Sequence, residues 1–221
     1  MIQNRGKTCP DGSKDFLMQA PMNNMMFKET ITKEEINDLP LGYFEGDIEV
    51  VDNYRKAKKA AKILEEYPVI GFDTETRPSF KKGVVNKVAL LQLAAPNHVF
   101  LIRLNKVGLP ADIRKILADT DIIKPGVAIH DDIKALKDMK YFNPAGFVEL
   151  QNHVKDFGIR NFSLKKLSAI VLGFRISKSQ QLSNWEAPYL TEAQKVYAAT
   201  DAWVSLKIYE HLNNHSGVEP A

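Results

Sequence analysis

Between residues 44 and 103 the apolar positions fall into short runs that suit strands, interrupted once by a helical period. Residues 44–51 alternate weakly and predict an edge strand. Asn53 then caps a helix reaching about residue 66, in which Ala57, Ala60, Ala61 and Leu64 recur at the spacing of a buried stripe until Pro68 ends it. Residues 69–76 follow as a strand. Two further runs, 87–95 and 98–103, are rich in Val, Leu, Ile and Phe and close a hairpin across Pro96 and Asn97. Upstream, Thr32 and Glu35 make a capping box for a short helix over 32–39, stopped by Pro40.

The second half is mostly helical. Helices are predicted over 109–118 and 131–139, on either side of a buried strand at 122–129. More follow at 150–157 and 164–172, the latter with Ser163 as cap and Gly173 as terminator. Thr191 and Gln194 open the final helix with a second capping box, and regular apolar spacing continues to about Leu212. Strands joined by hairpins and followed by alternating helix and strand predict an α/β fold, a mixed sheet with helices packed on it. One domain over 27–221 accounts for the pattern, with its core at about 44–215. Residues 1–26 carry Met18, Met22, Met25 and Met26 among Gly, Pro, Asn and Ser with no period, and predict a disordered leader. An upstream extension of a start at Met22, Met25 or Met26 would explain the same composition.

Composition narrows the setting more than the chemistry. No apolar run approaches the roughly 20 residues of a membrane span, and the first 20 residues lack the apolar segment of a secretory signal. Cys9 is the only cysteine and has no intrachain partner, so a reducing, intracellular compartment is expected. A net charge of +3 permits a polyanionic partner without requiring one. Lysines gather over 54–62 and at Lys81, Lys82 and Lys87, where they would face either phosphate or solvent.

The strand over 69–76 ends in two acids one residue apart. Side chains alternate across a strand, so Asp73 and Glu75 project from one face while Ile70, Phe72 and Thr74 point to the other. Two carboxylates in so small a volume repel unless one is protonated or a cation lies between them, and a hard divalent ion on carboxylate oxygen resolves the conflict. A strand running out into a polar loop would place the same pair. In the final helix Tyr197, Asp201, Val204, Ile208 and Leu212 form one inward stripe, where an ionised aspartate is costly unless paired or metal-bound. A structural tyrosine bonding a structural aspartate is the competing explanation. His130, Asp131 and Asp132 sit at a strand-to-helix junction whose buried side is marked by Ile129, Ile133 and Leu136. That side favours Asp132 as the inner acid and Asp131 as the helix cap, with His130 either a ligand or a hydrogen-bonded loop histidine.

Taken together, FDTET, GVAIHDDIKAL and YAATD resemble the three exonuclease motifs of the DEDD superfamily, in the variant with a tyrosine four residues before the last aspartate. KVALLQLA and LSNWEAPYLTEAQKVYAATDA resemble the exonuclease domain of the Werner syndrome protein most, with ribonuclease D next. The resemblance covers about residues 69–212. It implies a ribonuclease H-like fold, with a five-stranded mixed sheet of three antiparallel strands and then parallel strands. It implies that Asp73, Glu75, Asp132 and Asp201 bind two divalent metal ions, Mg²⁺ or Mn²⁺, and that Tyr197 orients the attacking water. The extra acid at Asp131 leaves the second motif open by one position.

The activity implied is 3'-5' exonuclease hydrolysis of phosphodiester bonds, releasing nucleoside 5'-monophosphates from a nucleic acid 3' end. Thr74, Leu93 and Trp185, with Leu91 and Phe162, are candidates for contact with the terminal bases, the hydrophobic core being the other destination for the apolar ones. Ribonuclease D carries helical domains after its nuclease domain whereas this chain ends soon after the third motif, so DNA is expected over RNA. An RNA-processing nuclease and a catalytically silent binding module on the same fold are the rival readings. The sequence points to no particular helicase or repair partner.

Overall fold

The structure is a computed structural model and describes residues 27–78 and 86–215. The expected leader at 1–26 and the loop lysines Lys81 and Lys82 lie outside the described residues. The chain runs α1 (Lys33–Asp38), β1 (Asp47–Val51), α2 (Tyr54–Leu64), β2 (Gly71–Thr76), β3 (Val88–Ala94), β4 (His98–Arg103) and α3 (Leu104–Val107). It continues through α4 (Ala111–Ala118), β5 (Lys124–Gly126), α5 (His130–Met139), β6 (Phe147–Glu149), α6 (Leu150–His153), α7 (Leu164–Leu167) and α8 (Glu192–His215).

Four strands make one ladder in the order β1-β4-β3-β2, with β1 parallel to β4 and the other pairs antiparallel. The surface continues past β2. Ile70 N donates to Ile123 O at 2.9 Å and Ile123 N to Pro68 O at 2.8 Å, which sets β5 alongside, with β6 parallel beyond it. The five strands read from the sequence therefore lie in one mixed arrangement. The sixth, β6, has three residues, too few to show a period.

Strands β3 and β4 are buried on both faces, which is why they read as continuous apolar runs. Leu91, Leu93, Phe72, Phe100 and Ile102 face α2 and α4, where they meet Ala60, Leu64, Ile113 and Ile116. Leu90, Ala94 and Leu101 face α8 and its small residues Ala198 and Ala202. A further layer of α6, α7 and their extensions covers the outer side of α8, with Val204, Ile208 and Leu212 against Leu150, Val154 and Leu167. The predicted stripe is thus one of two buried sides of this helix.

The capping boxes at Thr32/Glu35 and Thr191/Gln194 form, and Asn53 caps α2. Three expectations need correction. The strand at 122–129 shortens to Lys124–Gly126, because Pro125 has no N–H to donate and Ala128 adopts φ 59°, turning the chain into α5. Asp131 is no cap: the N-cap position falls at Ile129, and the Glu149 carboxylate accepts from Ala128 N and Ile129 N, both at 2.9 Å. Ser163 occupies the N-cap of α7 without a side-chain bond, and α7 runs on as a π-helical turn over Ser168–Leu172 before Gly173 closes it at φ 73°. No helix among the described residues is long and apolar enough to cross a membrane.

Lys124 is fully buried in β5, and its ammonium donates to the carbonyls of Ile116, Asp119 and Ile122 at 3.1, 2.7 and 2.6 Å. One cation thereby closes the end of α4 and the approach to β5. Lys124→Met keeps the volume and strands three buried carbonyls, so we expect a loss of about 3 kcal/mol in urea unfolding. A loss within about 0.5 kcal/mol would show that these carbonyls find other donors.

Candidate active site

Strand β2 meets α8 at unusually short range because Gly71 has no side chain. A Cβ there would lie 1.9 Å from the carbonyl oxygen of Ala202 and 2.8 Å from its carbonyl carbon. This approach sets Asp201, one residue before Ala202, beside the acids of β2. Oxygen atoms of Asp73, Glu75 and Asp201 all lie within 4.8 Å of one another. The alternation read from the sequence accounts for the pair on β2: Phe72 enters the core on the α2 side, and Asp73 and Glu75 face α8.

Asp132 arrives from the first turn of α5 and accepts a hydrogen bond from the Thr74 hydroxyl. It stands next to the three-acid group without being one of it. Of the two adjacent acids, Asp132 is half-buried towards β2, whereas Asp131 is exposed and pairs with His130 at 3.2 Å. Thr74, a candidate for substrate contact, holds Asp132. Tyr197 lies one turn before Asp201, close enough for its phenol to favour the ionised Asp201 carboxyl.

Burial and mutual repulsion push the acids up. Asp73 sits well above the carboxylate range through burial, then through Asp201 and Asp132. Glu75 rises to about 9 through burial and the charges of Asp73, Asp201 and Asp132. Asp201 rises to about 7 through burial, moderated by Tyr197 and Lys178. Asp132 is raised by burial, with Thr74 opposing. The phenol of Tyr197 is also raised, by burial and then by Asp201 and Glu75, so it holds its proton at neutral pH. Acids crowded this way are relieved by a divalent cation, and an all-oxygen donor set suits Mg²⁺ or Mn²⁺.

A family-wide model of the 3'-5' exonuclease domain matches residues 48–216. The chain belongs to the 3'-5' exonuclease family. It is 35% identical over 161 residues to human exonuclease 3'-5' domain-containing protein 2, covering 67% of the chain and 26% of the human protein. It is 33% identical over 199 residues to the mouse bifunctional 3'-5' exonuclease/ATP-dependent helicase WRN, covering 85% of the chain and 14% of the mouse protein. Those relatives are thus several times longer than the matched part. The Nibbler EXO domain of Aedes aegypti superposes with a TM-score of 0.70 at 27% identity, covering 79% of this chain and 92% of that one. Escherichia coli RNase D shares the fold, with a TM-score of 0.69 at 23% identity over 77% of this chain and 45% of that one. The chain thus carries a 3'-5' exonuclease domain of ribonuclease H-like architecture, in agreement with the motifs read from the sequence.

The structure does not bring every residue the sequence nominated to the site. Leu93 and Trp185 are fully buried, as is Leu91, and offer no surface to a base. Leu91 and Leu93 face the α2 side of the sheet and Trp185 packs 6.0 Å from the Tyr197 ring. The lysines of α2 also lie away from the site, on the opposite side of the sheet, where Lys56 pairs with Asp52 and Lys59 with Glu49.

What sequence reading missed is the lining. A cleft of about 400 Å³ beside Asp73, Glu75 and Asp201 is bounded by Gln151, Lys165, Lys178 and Gln181. A smaller hollow of about 200 Å³ shares Ser177, Tyr197 and Asp201 with it and is walled by Leu41, Tyr43 and Val196. Leu41 and Tyr43 are 47% and 50% exposed. Neither belongs to a regular element, so no period marks them; only an aromatic in a Gly-containing loop could have hinted at it.

Proposed function

We propose that this exonuclease holds two divalent cations, Mg²⁺ or Mn²⁺, and releases nucleoside 5'-monophosphates from nucleic acid 3' ends. The observation that carries this is the convergence of Asp73, Glu75 and Asp201 within 4.8 Å, with Asp132 adjacent and Tyr197 beside Asp201. When bound, the ions would supply a water of lowered pKa and would neutralise charge on the phosphoryl and leaving oxygens. Asp73, Glu75 and Asp201 are the ligands of the compact group, and Asp132 completes the set from α5. Tyr197, protonated at neutral pH, serves as a hydrogen-bond donor that fixes the attacking water and not as a base. Lys165 and Lys178 stand where the phosphates of the entering strand would pass, a contact to backbone that carries no sequence preference.

Two substitutions separate the chemical from the binding role. Tyr197→Phe removes the phenol and keeps the ring, and we expect kcat to fall about a hundredfold with KM within about threefold. Tyr43→Ala opens the hollow where a terminal base would stack, and we expect KM to rise about tenfold with kcat less affected. Steady-state kinetics on a 5'-labelled oligonucleotide give both.

The function itself is tested with purified protein on 3'-recessed DNA duplex, single-stranded DNA and RNA, with Mg²⁺ and with Mn²⁺. Metal-dependent 5'-monophosphate release is the expected result. Binding of 3' ends without turnover on any substrate would replace the enzyme by the silent binding module. The DNA expectation is read in the same assay. Faster release from RNA moves the substrate to RNA and leaves the nuclease assignment standing.

A further inference from the structure

Gln92 lies in the middle of β3 with a fully buried side chain, and neither Oε1 nor Nε2 has a hydrogen-bond partner among the described residues. An amide in this state is costly, because both its donor and its acceptor have been taken out of water without replacement. Such a group in a folded protein calls for a specific reason. Its position supplies one. Gln92 is the direct cross-strand partner of Asp73 in the β2–β3 ladder, so the two side chains leave the sheet on the same face a few ångströms apart. Its neighbours two residues away, Leu90 and Ala94, face α8 and place Gln92 on the side where Asp73 meets Asp201.

A second unpartnered group lies on that face. Trp185 is fully buried in the same cluster as Leu90, Ala94 and Ala202, and its Nε1 has no partner among the described residues either. The loop that carries it is clamped to the end of β4 and to α3. Arg103 Nη2 donates to Ala187 O at 2.5 Å and Lys106 Nζ to Pro188 O at 2.7 Å, while Arg77 pairs with Glu186 at 3.2 Å. Trp185 is therefore held where it is by the contacts of the three residues that follow it.

The hydrogen-bonding capacities of these groups are complementary. An indole N–H only donates, a carboxylate only accepts, and an amide does both. We propose that Gln92 is a positioning residue for Asp73: on metal uptake its unpartnered Nε2 comes to donate to the Asp73 carboxylate and its Oε1 to accept from Trp185 Nε1. Asp73 is thereby set towards Asp201 when the site takes up metal. The proposal rests on the metal-dependent reading above, with Gln92 acting through Asp73 and touching neither substrate nor ion. Orienting partners of metal ligands contribute about 10- to 100-fold to affinity or activity.

Gln92→Met separates this from a defect in packing. It matches the shape and removes the unpartnered amide, so a merely structural Gln92 predicts equal or higher thermal stability and unchanged metal binding. The positioning role predicts that Mn²⁺ affinity, read by isothermal titration without nucleic acid, falls about tenfold or more while the metal-free melting temperature holds or rises. Trp185→Phe, which removes the indole donor and keeps a ring, should weaken Mn²⁺ binding in the same direction but less. If Gln92→Met binds Mn²⁺ with the affinity of the parent, the proposal is overturned. Should Gln92→Met fail to fold, Trp185→Phe with parental Mn²⁺ affinity overturns it equally. A parent that binds Mn²⁺ but hydrolyses no nucleic acid would refute the enzyme reading and leave this test intact.

Discussion

Asp201→Asn is expected to lower metal-dependent release of 5'-monophosphates by about a thousandfold and, in the absence of metal, to raise the melting temperature at pH 8. The two effects have one cause. Folding lifts the Asp201 carboxyl to about 7 from an ordinary 3.8, and Glu75 to about 9 from 4.5. Between those limits the folded protein keeps protons that the unfolded chain has released. Stability of the metal-free protein is therefore complete below the ordinary carboxylate range and declines as pH rises through about 7 and then about 9.

Replacing one acid by an amide relieves part of that decline, and saturating Mg²⁺ relieves it in the parent by binding the folded state alone. Thermal melts from pH 5 to 9, with and without Mg²⁺, read the stability effect and a nuclease assay reads the activity. Turnover by Asp201→Asn at the parental rate would remove Asp201 from the site. A parent whose metal-free melting temperature stays flat over this range would deny the crowding of charge.

Gly71→Ala is the second large effect, and it works through the backbone. The new methyl group would fall 1.9 Å from the Ala202 carbonyl oxygen, a contact with main chain that no rotamer change can relieve. Either α8 retreats from β2 or the strand shifts. Overpacking of this kind costs about 2–3 kcal/mol. The catalytic cost is larger, since Tyr197 and Asp201 both ride on α8 and a displacement near 1 Å is worth about a hundredfold in rate. We expect a lower urea midpoint and kcat down about a hundredfold, with the metal-free fold retained by circular dichroism. Parental kcat in Gly71→Ala would show that the close approach of α8 to β2 does not set the geometry of the acids.

The alternation of β2 and the two capping boxes made much of this legible from sequence, because each depends on neighbours a few residues apart. Asp73 and Glu75 share a face for the same local reason. Asp132 was separable from Asp131 by helical phase alone. The cap of α5 was not legible, because the carboxylate that caps it, Glu149, comes from β6 and reaches Ala128 and Ile129 across a parallel pair. Leu93 and Trp185 misled for a related reason: an apolar residue near a motif packs inward or faces a ligand according to the layer above it, and the two helical layers are set by distant parts of the chain. Lys165, Lys178, Leu41 and Tyr43 come together only through the tertiary fold and carry no local signature.

The most direct test of the central claim follows a 5'-labelled single strand incubated with the protein and Mn²⁺, resolved by length over time. The expected result is a ladder that shortens one nucleotide at a time from the 3' end, with 5'-monophosphates as the released product, and complete arrest on addition of EDTA. Shortening that continues in EDTA, or cleavage appearing at internal positions, would contradict it.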